Sequence, residues 1–276
     1  MEEEKYGTLY VVATPIGNLE DITFRAIRIL KEVDLIAAED TRQTLKLLNH
    51  YEISKPLISM HRHNEEEKQK NIIEKLKKGE NIAIVSDAGT PGISDPGEIV
   101  IKQAIENNIR VIPIPGACAM INALICSGLD TKEFVFIGFL PINKKLRKEK
   151  LEQLKNETKT SIIYEAPHKL KNTLEDLKGF LEDRKVVLAR ELTKIHEDFI
   201  RGNISEIIAK SENLKGEMII LVEGATQLKE DNPLNNLSLE EHFKYYENQG
   251  FSKKDIIKQI SKDRKVSKND IYMNFL

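Results

Sequence analysis

The chain has 276 residues, of which 40% are hydrophobic and 31% charged, with a formal net charge of −2. That length can fill two domains with sizeable cores, and that composition belongs to a soluble globular protein, not to a disordered or globally basic one. No apolar run approaches a membrane span, MEEEKYG is neither a signal nor a transit peptide, and Cys118 and Cys126 suit neither a disulfide framework nor a metal site; a cytoplasmic location is expected.

Thr8 to Ala13 reads as a strand, followed by the turn Thr14-Pro15-Ile16-Gly17-Asn18 and a helix from roughly Asp21 to Glu32. Leu35 to Ala38 is a second strand ending in Glu39-Asp40-Thr41-Arg42, with a helix from about Thr44 to Asn49. Leu57 to Met60 is a third strand ending in His61-Arg62-His63-Asn64, and Glu65 to Lys78 an amphipathic helix with Ile72, Ile73 and Leu76 inward. Ile82 to Val85 is a buried strand that runs into SDAGTPGISDPG, Ser86 to Gly97. Glycines allow positive φ and close backbone approach, and prolines stiffen the remainder, so this loop is the leading ligand site. We expect Asp95 to cap the next helix, with Pro96 at its first position and Glu98 completing a capping box. Val111 to Ile114 is a fifth strand, ending in Pro115-Gly116-Ala117. The βα repetition predicts a mostly parallel sheet covered by helices.

The second half has a different texture. Strands are predicted at Glu133–Phe139, Thr160–Tyr164, Val186–Ala189 and Glu217–Val222, with helices near 167–182 and 204–212 and turns at Arg201-Gly202 and Gly216-Glu217. A basic stretch, Lys144, Lys145, Arg147, Lys148 and Lys150, follows FIGFLP. The expected organisation is an N-terminal α/β domain over 1–118, a second α/β domain with a mixed sheet over 119–225, and a linker with a lysine-rich helical tail over 226–276.

Neither GxxxxGK[ST] nor GxGxxG is present. Instead the strand ends gather polar groups: Thr14 and Asn18; Glu39, Asp40, Thr41 and Arg42; His61 and Asn64; Asp87 and Asp95. The C-terminal ends of parallel strands share one edge, so these groups can meet in one crevice. Taken singly, Asn18 and Asp40 are also natural helix caps, Arg42 a partner for Glu39, and Glu191 and Lys194 a local ion pair.

The segments Ala13 to Asp21, Ala38 to Arg42, Ser86 to Gly97, Tyr164-Glu165-Ala166-Pro167-His168 and Arg190-Glu191-Leu192-Thr193-Lys194 resemble the ribosomal small subunit methyltransferase I family of the tetrapyrrole methylase superfamily, the class III methyltransferases. The resemblance covers roughly residues 7–224 and extends to the helical tail. It implies two unlike α/β domains plus a small C-terminal helical segment, a homodimer, and S-adenosylmethionine-dependent 2′-O-methylation of a cytidine in 16S ribosomal RNA within the small subunit. Carried over by position, the cofactor contacts are Ile16, Asp87, Gly89, Thr90, Ala117, Cys118, Ala119, Ala166, Leu192 and Met218. The family's Pro-Gly-Pro-Ser is Pro115-Gly116-Ala117-Cys118 here, which weakens any hydrogen bond from the serine, a thiol being a poor donor.

The reaction needs alignment, a dry cleft and a base for the ribose hydroxyl, and no metal. Glu39, Asp40, His61 and Glu165 are the candidate bases, with Asp40 or Glu39 preferred and Arg42 placed to hold a phosphate. The lysines of 144–150 and those of the tail (Lys253, Lys254, Lys258, Lys262, Arg264, Lys265 and Lys268) could meet phosphates. A tetrapyrrole methyltransferase shares fold and cofactor but does not need the lysines. A non-catalytic nucleic-acid binder explains the lysines but not the polar strand ends.

Overall fold

A computed structural model describes residues 6–61, 65–212, 214–226, 233–264 and 266–273; Arg62, His63, Asn64, Lys265 and residues 227–232 of the expected linker lie outside these. The first half folds as its hydrophobic pattern dictates. Strands β1 (Thr8–Val12), β2 (Leu35–Ala38), β3 (Leu57–Ser59), β4 (Ile82–Val85) and β5 (Arg110–Ile114) form one sheet in the order β3-β2-β4-β1-β5, with every pairing parallel. Alternate residues feed opposite faces. Leu9, Leu35, Ala37, Ile82 and Ile84 pack under Ile72 and Leu76 of α3 (Glu65–Lys77) and Val100 and Ala104 of α4 (Glu98–Glu106). Val12, Ile36, Ala38, Ala83 and Val85 pack under Ile29 and Leu30 of α1 (Phe24–Glu32) and Leu48 of α2 (Thr41–His50). A sheet covered on both faces has one ligand-accessible place, the edge where its strands end.

Caps decide where these helices begin. Asn18 opens a short 3₁₀ turn by accepting the Glu20 N–H, and Thr23 caps α1 by accepting the Ala26 N–H. Asp40 caps α2, which therefore starts at Thr41, earlier than its apolar pattern suggests. The expected Asp95 cap is corrected: α4 starts at Glu98 after Gly97, whose φ of 127° ends the loop, and Asp95 borders a cavity instead.

Helix α5 (Ala119–Ile125) leads to a second sheet of β6 (Phe134–Phe139), β7 (Thr160–Glu165), β8 (Lys185–Arg190), β9 (Asp198–Asn203) and β10 (Met218–Val222), in the order β6-β7-β10-β8-β9. Only β6 and β7 run parallel; the other pairings are antiparallel. Arg201-Gly202, expected as a turn, lies within β9, whose polar residues suit an edge strand. Helices α6 (Lys144–Asn156), α7 (Leu170–Leu181) and α8 (Ile204–Lys210) cover one face. On the other face Ile16, from the loop after β1, packs with Ala189, Leu192 and Ile219, so the first sheet's ligand edge abuts the second sheet.

Ala225–Leu276 is a separate compact unit. Its helices α9 (Leu239–Glu247), α10 (Lys253–Arg264) and α11 (Lys268–Tyr272) enclose Tyr246, Ile256, Ile257, Ile260 and Ile271. Among the described residues no helix is long and apolar enough to cross a membrane.

Candidate active site

Three loops at the carboxyl edge are tied together. Thr14 and Gly89 exchange backbone hydrogen bonds of 2.8 and 3.0 Å, joining the loop after β1 to the glycine-rich loop after β4. The Ser86 hydroxyl donates to the Gly89 carbonyl at 3.2 Å, and the Thr90 hydroxyl to the Ala117 carbonyl at 3.2 Å, which brings in the loop after β5. Gly89 has φ +85°, and a Cβ there would lie 3.2 Å from Ile16 Cγ2 and 3.6 Å from the Ala117 carbonyl oxygen. The left-handed backbone favours glycine here, and a Cβ would press on Ile16.

These loops form one wall of a cavity of about 450 Å³, within the range of small-molecule sites. Ile16, Asp87, Gly89, Thr90, Cys118, Ala119, Ala166, Leu192 and Met218 all border it. Ala117 does not, and acts through its carbonyl against Thr90 and Gly89. Cys118 is the N-cap of α5 and makes no side-chain cap bond, as the change from serine implies.

The lining has one sign of charge. Glu39, Asp87, Asp95, Glu165 and Glu217 contribute carboxylates, and no lysine, arginine or histidine lines the cavity among the described residues. Asp87 Oδ1 accepts the Asp40 N–H at 2.9 Å, and Glu217 pairs with Lys194 at 3.2 Å. Buried Glu165 accepts the Ala166 N–H at 2.8 Å and the Thr173 hydroxyl at 2.5 Å. Thr173 in turn accepts from an Arg147 guanidinium N–H at 2.7 Å, and Arg147 Nε bonds Asp176 at 2.7 Å. Burial pushes the Tyr164 phenol up to about 12, so at neutral pH it is a neutral hydrogen-bonding group.

The structure separates the expected catalytic residues. Glu39 borders the cavity; Asp40, Arg42 and His61 do not. Arg42 pairs with Asp40 through Nε and a terminal N–H at 3.0 and 2.7 Å. The Arg42 side chain and backbone N–H hold the Asp40 carboxyl at about 2, so it is a weak proton acceptor. Its backbone N–H instead fixes Asp87.

Sequence reasoning left Ser94, Phe139 and Glu217 out of the site. Each has a local signal: a serine inside the glycine-rich loop, the last aromatic of EFVFIGF, and a glutamate directly before the last strand. Strain marks the site too. Ser94, Glu191 and Thr193 are non-glycine residues at φ 65°, 49° and 68°, the last two flanking cavity residue Leu192.

A family model described as Tetrapyrrole (Corrin/Porphyrin) Methylases matches residues 8–208. A protein of Halalkalibacterium halodurans named ribosomal RNA small subunit methyltransferase I is 52% identical over 275 residues, covering 98% of this chain and 95% of that protein. The like-named protein of Bacillus subtilis is 49% identical over 271 residues, covering 96% of this chain and 93% of its own. Among solved structures, the methyltransferase CobJ superposes with a TM-score of 0.61 at 18% identity, covering 79% of this chain and 95% of CobJ. Uroporphyrin-III C-methyltransferase of Thermus thermophilus, complexed with S-adenosylhomocysteine, superposes with a TM-score of 0.57 at 14% identity, covering 79% of this chain and 97% of its own. At such identities these two structures establish the fold alone.

Proposed function

The chain belongs to the tetrapyrrole methylase family, in its ribosomal RNA small subunit methyltransferase I branch, and from that premise we propose that it methylates the ribose 2′-oxygen of a cytidine in 16S ribosomal RNA, with S-adenosylmethionine as donor. The observation that carries the donor is the charge of the cavity. A lining with five carboxylates (Glu39, Asp87, Asp95, Glu165 and Glu217) and, among the described residues, no basic one favours a ligand bearing a sulfonium and an ammonium. The same lining disfavours the pyrophosphate of a dinucleotide. The cradle at Gly89, which a Cβ would crowd, fits close contact between backbone and donor.

S-adenosylmethionine supplies an electrophilic methyl carbon on a positively charged sulfur. The task left to the protein is to align the acceptor and exclude water. Asp87, Gly89 and Thr90 hold the donor against Ile16, Leu192 and Met218. Glu39 takes the proton of the acceptor hydroxyl, a role worth roughly 10²- to 10⁴-fold in rate. Asp40, at about 2, is too weak a base and serves to orient Asp87. Arg42, its side chain 86% exposed, orients Asp40 and offers its remaining N–H groups to a phosphate. Exposed Ile121 and Ile125, one turn apart on α5, support a homodimer.

The test is transfer of labelled methyl from S-adenosylmethionine to undermethylated small subunits, followed by digestion of the RNA. Label in 2′-O-methylcytidine is the expected result. Label absent from the RNA, with donor binding intact, rejects this acceptor.

A further inference from the structure

Phe139, the last residue of β6, borders the cavity and is 59% exposed. In a regular strand, residues three apart point to opposite faces. Phe136 and Phe139 nevertheless both meet Tyr164 edge-on, with ring centroids at 5.0 and 5.8 Å. The reason is a break in register between Phe136 and Gly138, where Gly138 takes φ +68°. An inserted residue reverses the alternation and turns Phe139 to the cavity side. Bulges recur beside active sites, where they re-aim a side chain in this way.

The charge pattern says what meets this ring. Among the described residues the cavity lining carries carboxylates and no cation. Helix α6 begins five residues beyond Phe139, at Lys144, and exposes Lys144, Lys145 and Lys148. Arg147 of the same helix points inward to Thr173 and Asp176 and is not part of that surface. A polyanion is therefore attracted to α6 and repelled from the cavity. Its phosphates stay on the lysines, and only the uncharged part of one nucleotide, base and ribose, can enter. Phe139 stands between the two regions.

We propose that Phe139 is the stacking platform for the base of the acceptor nucleotide, which is bound splayed out of its stack in a single-stranded stretch of RNA. The inference rests on the RNA reading above and adds how the acceptor is held. A flat aromatic face accepts any base, so Phe139 supplies affinity and placement, not base identity.

The experiment compares Phe139→Ala, Phe139→Leu and Phe139→Tyr in the full chain. Three quantities are read: KM for undermethylated small subunits, Kd for S-adenosylhomocysteine by calorimetry, and the sedimentation coefficient. The alanine and leucine variants should raise KM about 5- to 150-fold, the equivalent of one base stacked on an aromatic ring. The tyrosine variant should keep the wild-type KM, and Kd and sedimentation should not change. An unchanged KM in Phe139→Ala overturns the inference. Weakened S-adenosylhomocysteine binding overturns it by assigning the ring to the donor. A changed sedimentation coefficient overturns it by assigning the ring to a contact between copies of the chain. If the wild-type protein transfers no methyl to the subunits, the RNA reading falls and takes this inference with it. If wild type and Phe139→Ala methylate alike, the inference falls alone.

Discussion

Thr173→Val probes the buried wall behind the cavity. Thr173 is 1% exposed, donates to the Glu165 carboxylate at 2.5 Å and accepts from Arg147 at 2.7 Å. Valine has nearly the same volume, so no cavity opens and the hydroxyl alone is lost. A hydrogen bond to a charged group contributes about 1.5–3 kcal/mol, and the buried carboxylate left behind bears the desolvation cost. Arg147 also loses an acceptor, which places the expected loss at about 2–3 kcal/mol. For a unit of this size that corresponds to a melting temperature lower by about 4–12 °C. Thr173→Ser keeps the hydroxyl and loses one methyl group, for a cost of about 1 kcal/mol. Thermal and urea unfolding followed by circular dichroism measure all three proteins. A Thr173→Val protein within about 0.5 kcal/mol of wild type, or a serine variant as damaged as the valine one, would refute the network. The cycle of Thr173→Val with Arg147→Met should show a coupling of about 0.5–3 kcal/mol.

Gly89→Ala should cost about 1–2 kcal/mol for the left-handed backbone. Its Cβ would also press on Ile16 at 3.2 Å, so the Kd for S-adenosylhomocysteine should rise about tenfold or more; lower stability with unchanged affinity would remove Gly89 from the donor site. In the C-terminal unit, burial and then neighbouring Arg264 lower the pKa of His242, against the pull of Asp263. The unfolded chain therefore takes up a proton first as pH falls, and the unit's stability, fully present above about pH 6.5, declines below it. Melting of the full chain at pH 7.5 and 5.5, with His242→Phe as control, should show a pH-dependent loss that the variant lacks.

The sequence determined the alternation of buried strands and amphipathic helices in the first half. It also marked the glycine-rich loop after β4, because strand C-termini of a parallel sheet share one edge and because glycine and proline mark the loop, while the residues carried over from the family resemblance, Ala117 excepted, border one cavity. Helix caps were legible at Asn18 and Asp40, whose short polar side chains follow strand ends and can accept backbone N–H groups. They were not at Asp95, where the loop continues to Gly97. Edge strand β9 was hidden because its pattern is polar and its pairing with β8 is non-local. Which of Glu39 and Asp40 borders the cavity was beyond reach as well, since adjacent residues look alike until the chain has folded. Only the tertiary structure gathered five carboxylates from distant segments around one cavity. It alone sorted Arg147 inward from the lysines beside it and, through one register slip in β6, turned Phe139 toward the cavity mouth. Charge balance and side-chain phase are sums over neighbours in space, and neither is fixed until the chain has folded.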